Sequence, residues 1–179
     1  IPVYWESRYG AFEHPILISG EATSTTSLLA PINLFDSRYV YFLNFGISPG
    51  VDAFHCERCD HVLLRDMTIR GAAPETYQAQ ETVKVNQSTH IYIEDSRING
   101  AWNVVVDFVA VQYGHVLRNV IRDAGDWCMY FKGGSAYIDV EANEISDCGN
   151  GGFSAGQGTG FQYMVPPFPH YEAYYIRFV

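Results

Sequence analysis

The sequence predicts an all-β fold, a parallel β-helix of about five to six coils with 22–29 residues in each. Two observations carry most of this prediction. An apolar residue followed five positions later by isoleucine occurs five times, in the pairs Phe42 and Ile47, Leu64 and Ile69, Ile93 and Ile98, Val116 and Ile121, and Val140 and Ile145. The isoleucines are 22, 29, 23 and 24 residues apart, a period typical of solenoid proteins.

A third observation is a strand pattern shared by three segments, residues 34–44, 56–66 and 85–95, which align without a gap. Each alternates apolar and polar residues in its second half, which is the period of a β-strand and not of a helix. Each also has Ser or Cys at its fourth position. Short strands between polar corners predict coils that turn apolar residues inward and pair with the coils above and below.

The leucine-rich repeat is the rival solenoid, because its repeats have a similar length. It needs a repeated pattern of leucines with a fixed asparagine. Leucine is sparse in this chain, and the asparagine at position 44 is replaced by Asp66 and Asp95 in the aligned segments. The sequence therefore favours the β-helix.

The elements follow in order along the chain. Residues 1–27 show no repeat and are predicted to form an N-terminal lead-in or cap with a first strand at residues 16–18. Residues 28–179 are predicted to form the coils. The prolines of residues 164–170 exclude a central strand and predict a projecting loop. Another strand pattern begins at residue 171, so we expect the coils to continue in a longer chain or to be capped by another chain, with self-association through the solenoid ends.

The composition excludes several classes of protein. Twenty acidic against eleven basic residues give a net charge of −9, and no cluster of Lys and Arg is present to contact phosphates, which argues against a nucleic-acid partner. No apolar run approaches the roughly 18 to 20 residues that span a bilayer, so we expect no membrane insertion.

Three segments carry a resemblance to a known group, residues 107–115, 125–137 and 151–161. They resemble bacterial, mostly secreted, right-handed parallel β-helix repeat proteins, a group similar in architecture to pectate lyases. The resemblance covers residues 28–179 and implies a right-handed helix in an extracellular or periplasmic, carbohydrate-active protein, a lyase or hydrolase of polysaccharides. The arginine motif and the calcium-binding aspartate signature of pectate lyases are not recognisable in this chain.

The fold by itself does not decide the reaction, because β-helices host lyases, hydrolases, adhesins and structural spikes. The alternative to an enzyme is a β-solenoid without catalysis that binds glycans or assembles end to end. These two classes differ in one structural expectation. An enzyme needs its candidate catalytic residues to converge in a groove, whereas an assembly module leaves them dispersed.

A lyase that acts on uronic-acid polymers needs a cation for the substrate carboxylate and a base for the neighbouring proton. The predicted catalytic residues are Lys132, Asp107 and His115. Lys132 is one of only two lysines in the chain. The direction of Asp107 is undecided, because the segment VVVDFVAV is apolar in both phases of a strand. The predicted substrate-binding residues lie near these or after the proline-rich loop and are Tyr130, Arg118, Trp127, His170 and Glu172.

Three aspartates are the candidate calcium ligands. A 24-residue offset predicts that Asp123 stacks on Asp147, with Asp126 at the adjoining corner. Like charges one strand spacing apart repel unless a cation offsets them, and carboxylates are the ligands that calcium prefers. The alternative is that all three are solvated turn residues with local hydrogen bonds.

The four cysteines allow disulfides without establishing them. In the segment HCERCDH, a zinc site would need Cys56 and Cys59 to converge with two histidines, but the strand pattern sends Cys56 inward. We therefore expect Cys56 in the core and Cys59 at the position that serine takes in other coils. Cys128 and Cys148 are expected to pack or pair elsewhere.

Overall fold

The computed structural model describes residues 3–21 and 26–179, and it is a right-handed parallel β-helix. Three parallel sheets, which we name A, B and C, contain seven, seven and six strands. The chain passes through sheet A, then B, then C, and each circuit adds one strand to each sheet. Residues 1, 2 and 22–25 of the predicted lead-in lie outside the described residues.

The strands of each sheet lie side by side in chain order. Sheet A contains β1 (Val3–Glu6), β4 (Ile32–Phe35), β7 (Phe54–Glu57), β10 (Glu81–Asn86), β13 (Val104–Val109), β16 (Trp127–Lys132) and β19 (Gly151–Ala155). Sheet B contains β2 (Ile16–Ser19), β5 (Arg38–Leu43), β8 (Asp60–Arg65), β11 (Thr89–Glu94), β14 (Gln112–Leu117), β17 (Ser135–Glu141) and β20 (Ala173–Phe178). Sheet C contains β3 (Ser27–Leu28), β6 (Gly46–Ile47), β9 (Thr68–Arg70), β12 (Arg97–Ala101), β15 (Val120–Ala124) and β18 (Glu144–Cys148).

The predicted apolar pairs form two continuous stacks in the core. In sheet C, the stacked residues are Ile47, Ile69, Ile98, Ile121 and Ile145, each paired with the next. In sheet B, the first members of the pairs stack in the same way, as Phe42, Leu64, Ile93, Val116 and Val140. Nearly all of them are fully buried. At about 1.5 to 3 kcal/mol for each buried aliphatic or aromatic side chain, these stacks are a principal source of stability.

The sharp corner between sheets B and C is held by side chains of the following coil. The backbone N–H of Met67 donates to Ser96 Oγ at 3.0 Å, and the N–H of Ser96 donates to Asn119 Oδ1 at 2.9 Å. The N–H of Asn119 donates in turn to Asn143 Oδ1 at 2.9 Å. Each buried corner amide therefore finds its acceptor one coil further on, and this fixes the register between coils.

The corner between sheets A and B has the same bonds between coils, since the N–H of Cys59 donates to Ser88 Oγ at 3.0 Å and the N–H of Val111 donates to Ser135 Oγ at 3.1 Å. The hydroxyls of Ser37 and Ser88 donate to the carbonyl two residues earlier, at 2.9 and 2.7 Å. The thiol of Cys59 lies 3.3 Å from the equivalent carbonyl of Glu57. Cys59 therefore takes the place of serine in its coil, as the alignment predicted, and Cys56 lies in the core.

The N-terminal segment differs from the prediction, because it forms a coil and not only a lead-in. Strand β1 pairs in register with β4, and β2 pairs with β5. The strand predicted at residues 16–18 is β2. Strand β1 showed no repeat because its four residues are all aromatic or charged except Val3.

The C-terminal part contains the predicted loop and one covalent link. Residues 164–170 contain no strand, and a single turn of 3-10 helix, Phe161–Tyr163, precedes them. A disulfide joins Cys128 of β16 to Cys148 of β18. Cys56 and Cys59 are free and buried. Among residues 3–21 and 26–179, no helix has the length and apolar character to cross a bilayer.

Asn119 tests how much the bonds between corner amides and the Ser or Asn side chains of the next coil, here called the corner ladder, contribute to stability. Its side chain also donates to the Ile93 carbonyl at 3.0 Å, so alanine at this position leaves the buried Ser96 amide without its acceptor and removes one donor to the Ile93 carbonyl. We expect Asn119→Ala to lower the free energy of unfolding by about 2 to 3 kcal/mol in urea titrations. Asn33→Ala, at a half-buried outward position, is the control and should change it by less than about 0.5 kcal/mol. Equal losses in both variants would contradict the corner ladder.

Candidate functional site

The outer face of sheet A carries two rows of side chains that run along the helix axis. The first row stacks residues of six coils, Asn33, His55, Lys84, Asp107, Tyr130 and Ser154. The second row lies two positions further along each strand and stacks Glu57, Asn86, Val109 and Lys132. Neighbours within a row are one strand spacing, about 4.8 Å, apart.

Asp107 lies in the first row, on the outside of the sheet, yet it is fully buried. Lys84 Nζ donates to its Oδ2 at 2.9 Å. Its Oδ1 has no hydrogen-bond partner among the described residues, and Lys132 Nζ lies 3.6 Å from it. The sequence left the direction of Asp107 open. The structure shows that it points outward and is covered by the lysines of neighbouring coils.

Lys84 joins two buried carboxylates. Its ammonium donates to Glu81 Oε1 at 2.8 Å as well as to Asp107. Burial by itself would lower the pKa of Lys84, but the two carboxylates outweigh it and raise this pKa. For Glu81 burial is the larger effect and raises the pKa despite Lys84, because the Glu81 side chain is only 8% exposed against 30% for Lys84. The hydrogen-bonding capacity of Lys84 is thus largely taken up inside the protein.

Lys132 is the other cation of this face, and it is less constrained. Its ammonium lies 4.7 Å from the centre of the Tyr130 ring, a contact that suits a cation. None of the hydrogen bonds formed by the described residues uses its Nζ as donor. The structure therefore brings Lys132 and Asp107 together, as predicted, and leaves the Lys132 ammonium with donors to offer.

A cleft of about 450 Å³ lies over these residues. Sheet A contributes its lower wall, and the connection between β19 and β20 contributes the upper wall. The residues that line it are Glu57, Lys84, Asn86, Gln87, Val109, Lys132, Gly158, Thr159, Gly160 and Tyr163. The cleft crosses four coils, so its length along the axis is about 14 Å at one strand spacing for each step.

Glu172 holds the upper wall in place. Its carboxylate accepts the backbone N–H of Gly133 at 2.9 Å and the Thr159 hydroxyl at 2.8 Å, and it also accepts the Thr159 N–H. Burial would raise the pKa of Glu172, but these hydrogen bonds outweigh it and lower the pKa. Gln87 adds a bond from its Nε2 to the Tyr163 carbonyl at 3.2 Å. Glu172, predicted to bind substrate, therefore positions the connection that covers the cleft.

The predicted aromatic binding residues lie beneath and beside the cleft. Tyr130 is 1% exposed, and its hydroxyl donates to Asp126 Oδ2 at 2.6 Å. Burial, followed by that bond, raises the pKa of Tyr130 strongly. Trp127 packs 6.1 Å from the Tyr130 ring and is half-buried. Tyr130 thus supports Lys132 and Asp107 from below, without lining the cleft.

The remaining predicted residues lie elsewhere. His115 is in β14 of sheet B, where it contacts Glu94, so it does not join Lys132 and Asp107. Arg118 follows the same strand and forms two hydrogen bonds with Asp95, at 2.7 and 2.8 Å. His170 is exposed in the connection, where it packs against Phe161.

The predicted calcium ligands do not converge. Asp126 accepts hydrogen bonds from Tyr130 and from Asn150. Asp123 pairs with Arg122 at 3.5 Å, and Asp147 accepts from Ser146 at 3.2 Å. The stacking of Asp123 on Asp147 follows the strand register, but no shared cation site results among the described residues. The geometry favours turn residues with local bonds.

One other group has metal-ligand composition, Asp60 with His61 and His90, and it is the only such group in the described part of the chain. The two imidazoles stack face to face with their centres 4.2 Å apart and their planes 17° apart. A metal about 2.0 to 2.1 Å from a ring nitrogen lies in the plane of that ring, and it cannot lie in two parallel planes at once. Both Nδ1 atoms instead lie about 3 Å from Asp60, at 3.0 and 2.9 Å.

Sequence reasoning missed Lys84 and Glu57 as parts of the cleft. The signal was present, because the 23-residue offset that stacks Ile98 on Ile121 also stacks Lys84 on Asp107. It also missed a ladder of stacked aromatic rings on sheet B, formed by Tyr39, His61, His90, Tyr113, Tyr137 and Tyr175. Four of these rings stand two positions after the corner Ser or Cys of their coil, a regularity visible in the sequence.

No protein-family model, curated protein or solved structure matches the chain. The resemblance to secreted β-helix proteins of the pectate-lyase type therefore stays a prediction, while the parallel β-helix itself is established by the three sheets.

The role of Lys84 can be tested through the pH dependence of stability. Its pKa in the folded protein exceeds the unfolded value of about 10.4, so its stabilising effect is complete below that pH and is lost as the pH rises through the folded pKa. Lys84→Met removes the cation that bonds to Glu81 and the only hydrogen-bond donor to the Asp107 carboxylate among the described residues, so it should lower the free energy of unfolding at neutral pH by about 3 to 5 kcal/mol. In urea titrations at increasing alkaline pH, the free energy of unfolding should fall less steeply in the variant than in the wild type.

The control for this prediction is Arg122→Met, which removes an exposed cation on sheet C with the same change in net charge. The free energy of unfolding of Arg122→Met should fall with alkaline pH as steeply as that of the wild type. A Lys84→Met protein as stable as this control would show that the buried carboxylates do not depend on Lys84.

Proposed function

We propose that this protein is an extracellular, carbohydrate-active β-helix protein that binds an acidic polysaccharide in the cleft on sheet A and cleaves it by β-elimination. The observation that carries the proposal is the ammonium of Lys132. It lies in an open cleft, held between a buried carboxylate and an aromatic ring, with no hydrogen bond to the described residues.

An acidic sugar offers groups that match this cleft. Its carboxylate is an acceptor for the Lys132 ammonium, and hydrogen bonds between charged groups are roughly twice as strong as neutral ones. Its hydroxyls are donors for Asn86 Oδ1 and Gln87 Oε1, since these amides use their Nδ2 and Nε2 groups in bonds to His55 and to Tyr163. Burial lowers the pKa of His55, which favours the neutral imidazole, and in the tautomer with the proton on Nδ1 its Nε2 accepts from Asn86 Nδ2.

The elimination step needs a proton acceptor as well as a cation. With the substrate carboxylate paired to Lys132, the proton on the adjacent carbon becomes more acidic. The acceptor must lie within about 3 Å of that proton. Glu57 is the only carboxylate among the described residues that line the cleft, and it stands three coils, or about 14 Å, from Lys132 in the second row. We therefore assign Lys132 as the group that pairs with the substrate carboxylate, and we assign no residue of the cleft as the base.

The disulfide supports an extracellular or periplasmic location. Cys128 and Cys148 are paired, and disulfides persist in oxidising compartments and are rare in the cytosol. The two free cysteines are buried and so protected from oxidation. Self-association through the solenoid ends stays a prediction.

Glycan binding without cleavage is the second candidate function, and one observation favours it. His115 lies on a different sheet from Lys132 and Asp107, so the three predicted catalytic groups do not form one site. In that case the same cleft binds the polysaccharide, and no product is released.

The proposal is tested with polymers of galacturonate, glucuronate, mannuronate and guluronate, and with a neutral polymer of galactose as control ligand. We expect at least one acidic polymer to bind, as measured by affinity electrophoresis, and to release unsaturated product with ultraviolet absorbance. Lys132→Met should weaken binding by roughly tenfold or more, because it removes a charged hydrogen bond of about 1.5 to 3 kcal/mol.

Arg122→Met is the matched control, since it removes one positive charge away from the cleft. If this variant and Lys132→Met weaken polymer binding equally, the polymer responds only to the net charge of the protein and not to a contact with Lys132. Binding without unsaturated product or new reducing ends would establish the second candidate function. Failure of every acidic polymer to bind would reject both.

A further inference from the structure

A second depression lies on the outer face of sheet B, on a different side of the helix from the cleft. Its volume is about 360 Å³. Its floor is Leu63, and Tyr41 and Tyr92 occupy the same row one coil before and one coil after it. The two tyrosines therefore stand about two strand spacings, roughly 9 to 10 Å, apart, which leaves room for one six-membered ring over Leu63.

The polar end of this depression is built around a buried carboxylate. Glu94 is 7% exposed, and it accepts hydrogen bonds from Arg65 Nε at 2.7 Å and from His115 Nε2 at 2.5 Å. Burial would raise the pKa of Glu94, but the bonds from Arg65 and His115 outweigh it and lower this pKa. Glu94 is thus a fixed anion that orients a guanidinium and an imidazole, and it is a positioning residue.

Arg65 and His115 keep donors or acceptors that the protein does not use. Within residues 3–21 and 26–179, Arg65 forms a side-chain hydrogen bond only through Nε, and His115 only through Nε2. Their side chains are 46% and 25% exposed, and both line the depression. A guanidinium with two free nitrogens binds a carboxylate through two parallel hydrogen bonds.

We infer that this depression is a second binding site, whose ligand is a six-membered ring that carries a carboxylate. Arg65 binds the carboxylate, and the ring packs on Leu63 between Tyr41 and Tyr92. His115 packs on the far side of Tyr92, with 4.7 Å between the ring centres, and supports that wall. The assignment of the ring to a sugar acid rests on the proposed function. The ring-sized space and the oriented guanidinium are features of the structure and do not depend on the proposed function.

The experiment is a titration of the full chain with galacturonate, followed by amide chemical shifts in NMR spectra. We expect shifts centred on Leu63 and Glu94 in sheet B, separate from those around Lys132 in sheet A. Galactose, which has a hydroxymethyl group in place of the carboxylate, should not produce the sheet B shifts. Arg65→Met should weaken the sheet B binding by roughly tenfold to hundredfold, which corresponds to the loss of a charged hydrogen-bond pair.

Two further variants keep the inference testable if Arg65→Met does not fold. Arg65→Lys retains the charge and loses the paired hydrogen bonds, so it should weaken the sheet B binding several-fold. Tyr92→Ala removes one side of the ring site and should also weaken the sheet B binding several-fold. Arg177→Met is the matched control on the same sheet, because Arg177 also bonds to carboxylates, those of Asp139 and Glu141, and lies outside the depression. Arg177→Met should leave galacturonate binding at sheet B unchanged.

The two proposals fail in different ways. Galacturonate shifts confined to sheet A and lost in Lys132→Met would overturn the second site and leave the proposed function standing. Shifts confined to sheet B and lost in Arg65→Met would support the second site and overturn the proposed function of the cleft on sheet A. Sheet B shifts that are the same in Arg65→Met, Arg65→Lys and wild type would also overturn the second site.

Discussion

The structure depends on the register between coils, in which each residue lies directly above its equivalent in the next coil. Two kinds of bond set this register, the parallel ladders of the sheets and the corner bonds from one coil to the Ser or Asn side chain of the next. A slip of one residue would turn every inward side chain outward. The apolar stacks oppose such a slip, since Phe42 and Ile47 and their equivalents would all lose their burial.

The same register organises charge on the outer faces. Opposite charges meet as vertical neighbours in separate places, Lys84 with Asp107, Arg65 with Glu94, and Arg177 with Asp139. Two of these pairs include a carboxylate that is nearly or fully buried. A stack of strands has closely spaced neighbours on its outside as well as in its core, so an outward residue such as Asp107 can lose its solvent. Both proposed binding sites are built on such a carboxylate.

The aromatic residues of sheet B fall into two kinds. The ladder from Tyr39 to Tyr175 stacks ring on ring at 4.2–5.4 Å, so the faces of its inner rings are covered by neighbouring rings. Each of its residues has a positive φ, which costs roughly 1 to 2 kcal/mol for an L-residue, and the stacking offsets this strain. Tyr41 and Tyr92 are instead separated by Leu63, and the gap between them is the proposed ring site.

The sequence by itself determined the coil, the strands of the repeated segments, the inward stacks and the proline-rich loop, because these follow from local alternation and from a repeat of about two dozen residues. It also placed Lys132 and Asp107 in neighbouring coils. Only the tertiary structure decided that Asp107 faces outward and is buried, that Glu172 holds a wall, and that His115 belongs to a different sheet. These facts depend on which side chains cover one another across coils and on where a corner turns the chain from one sheet to the next, and a periodic pattern does not specify either.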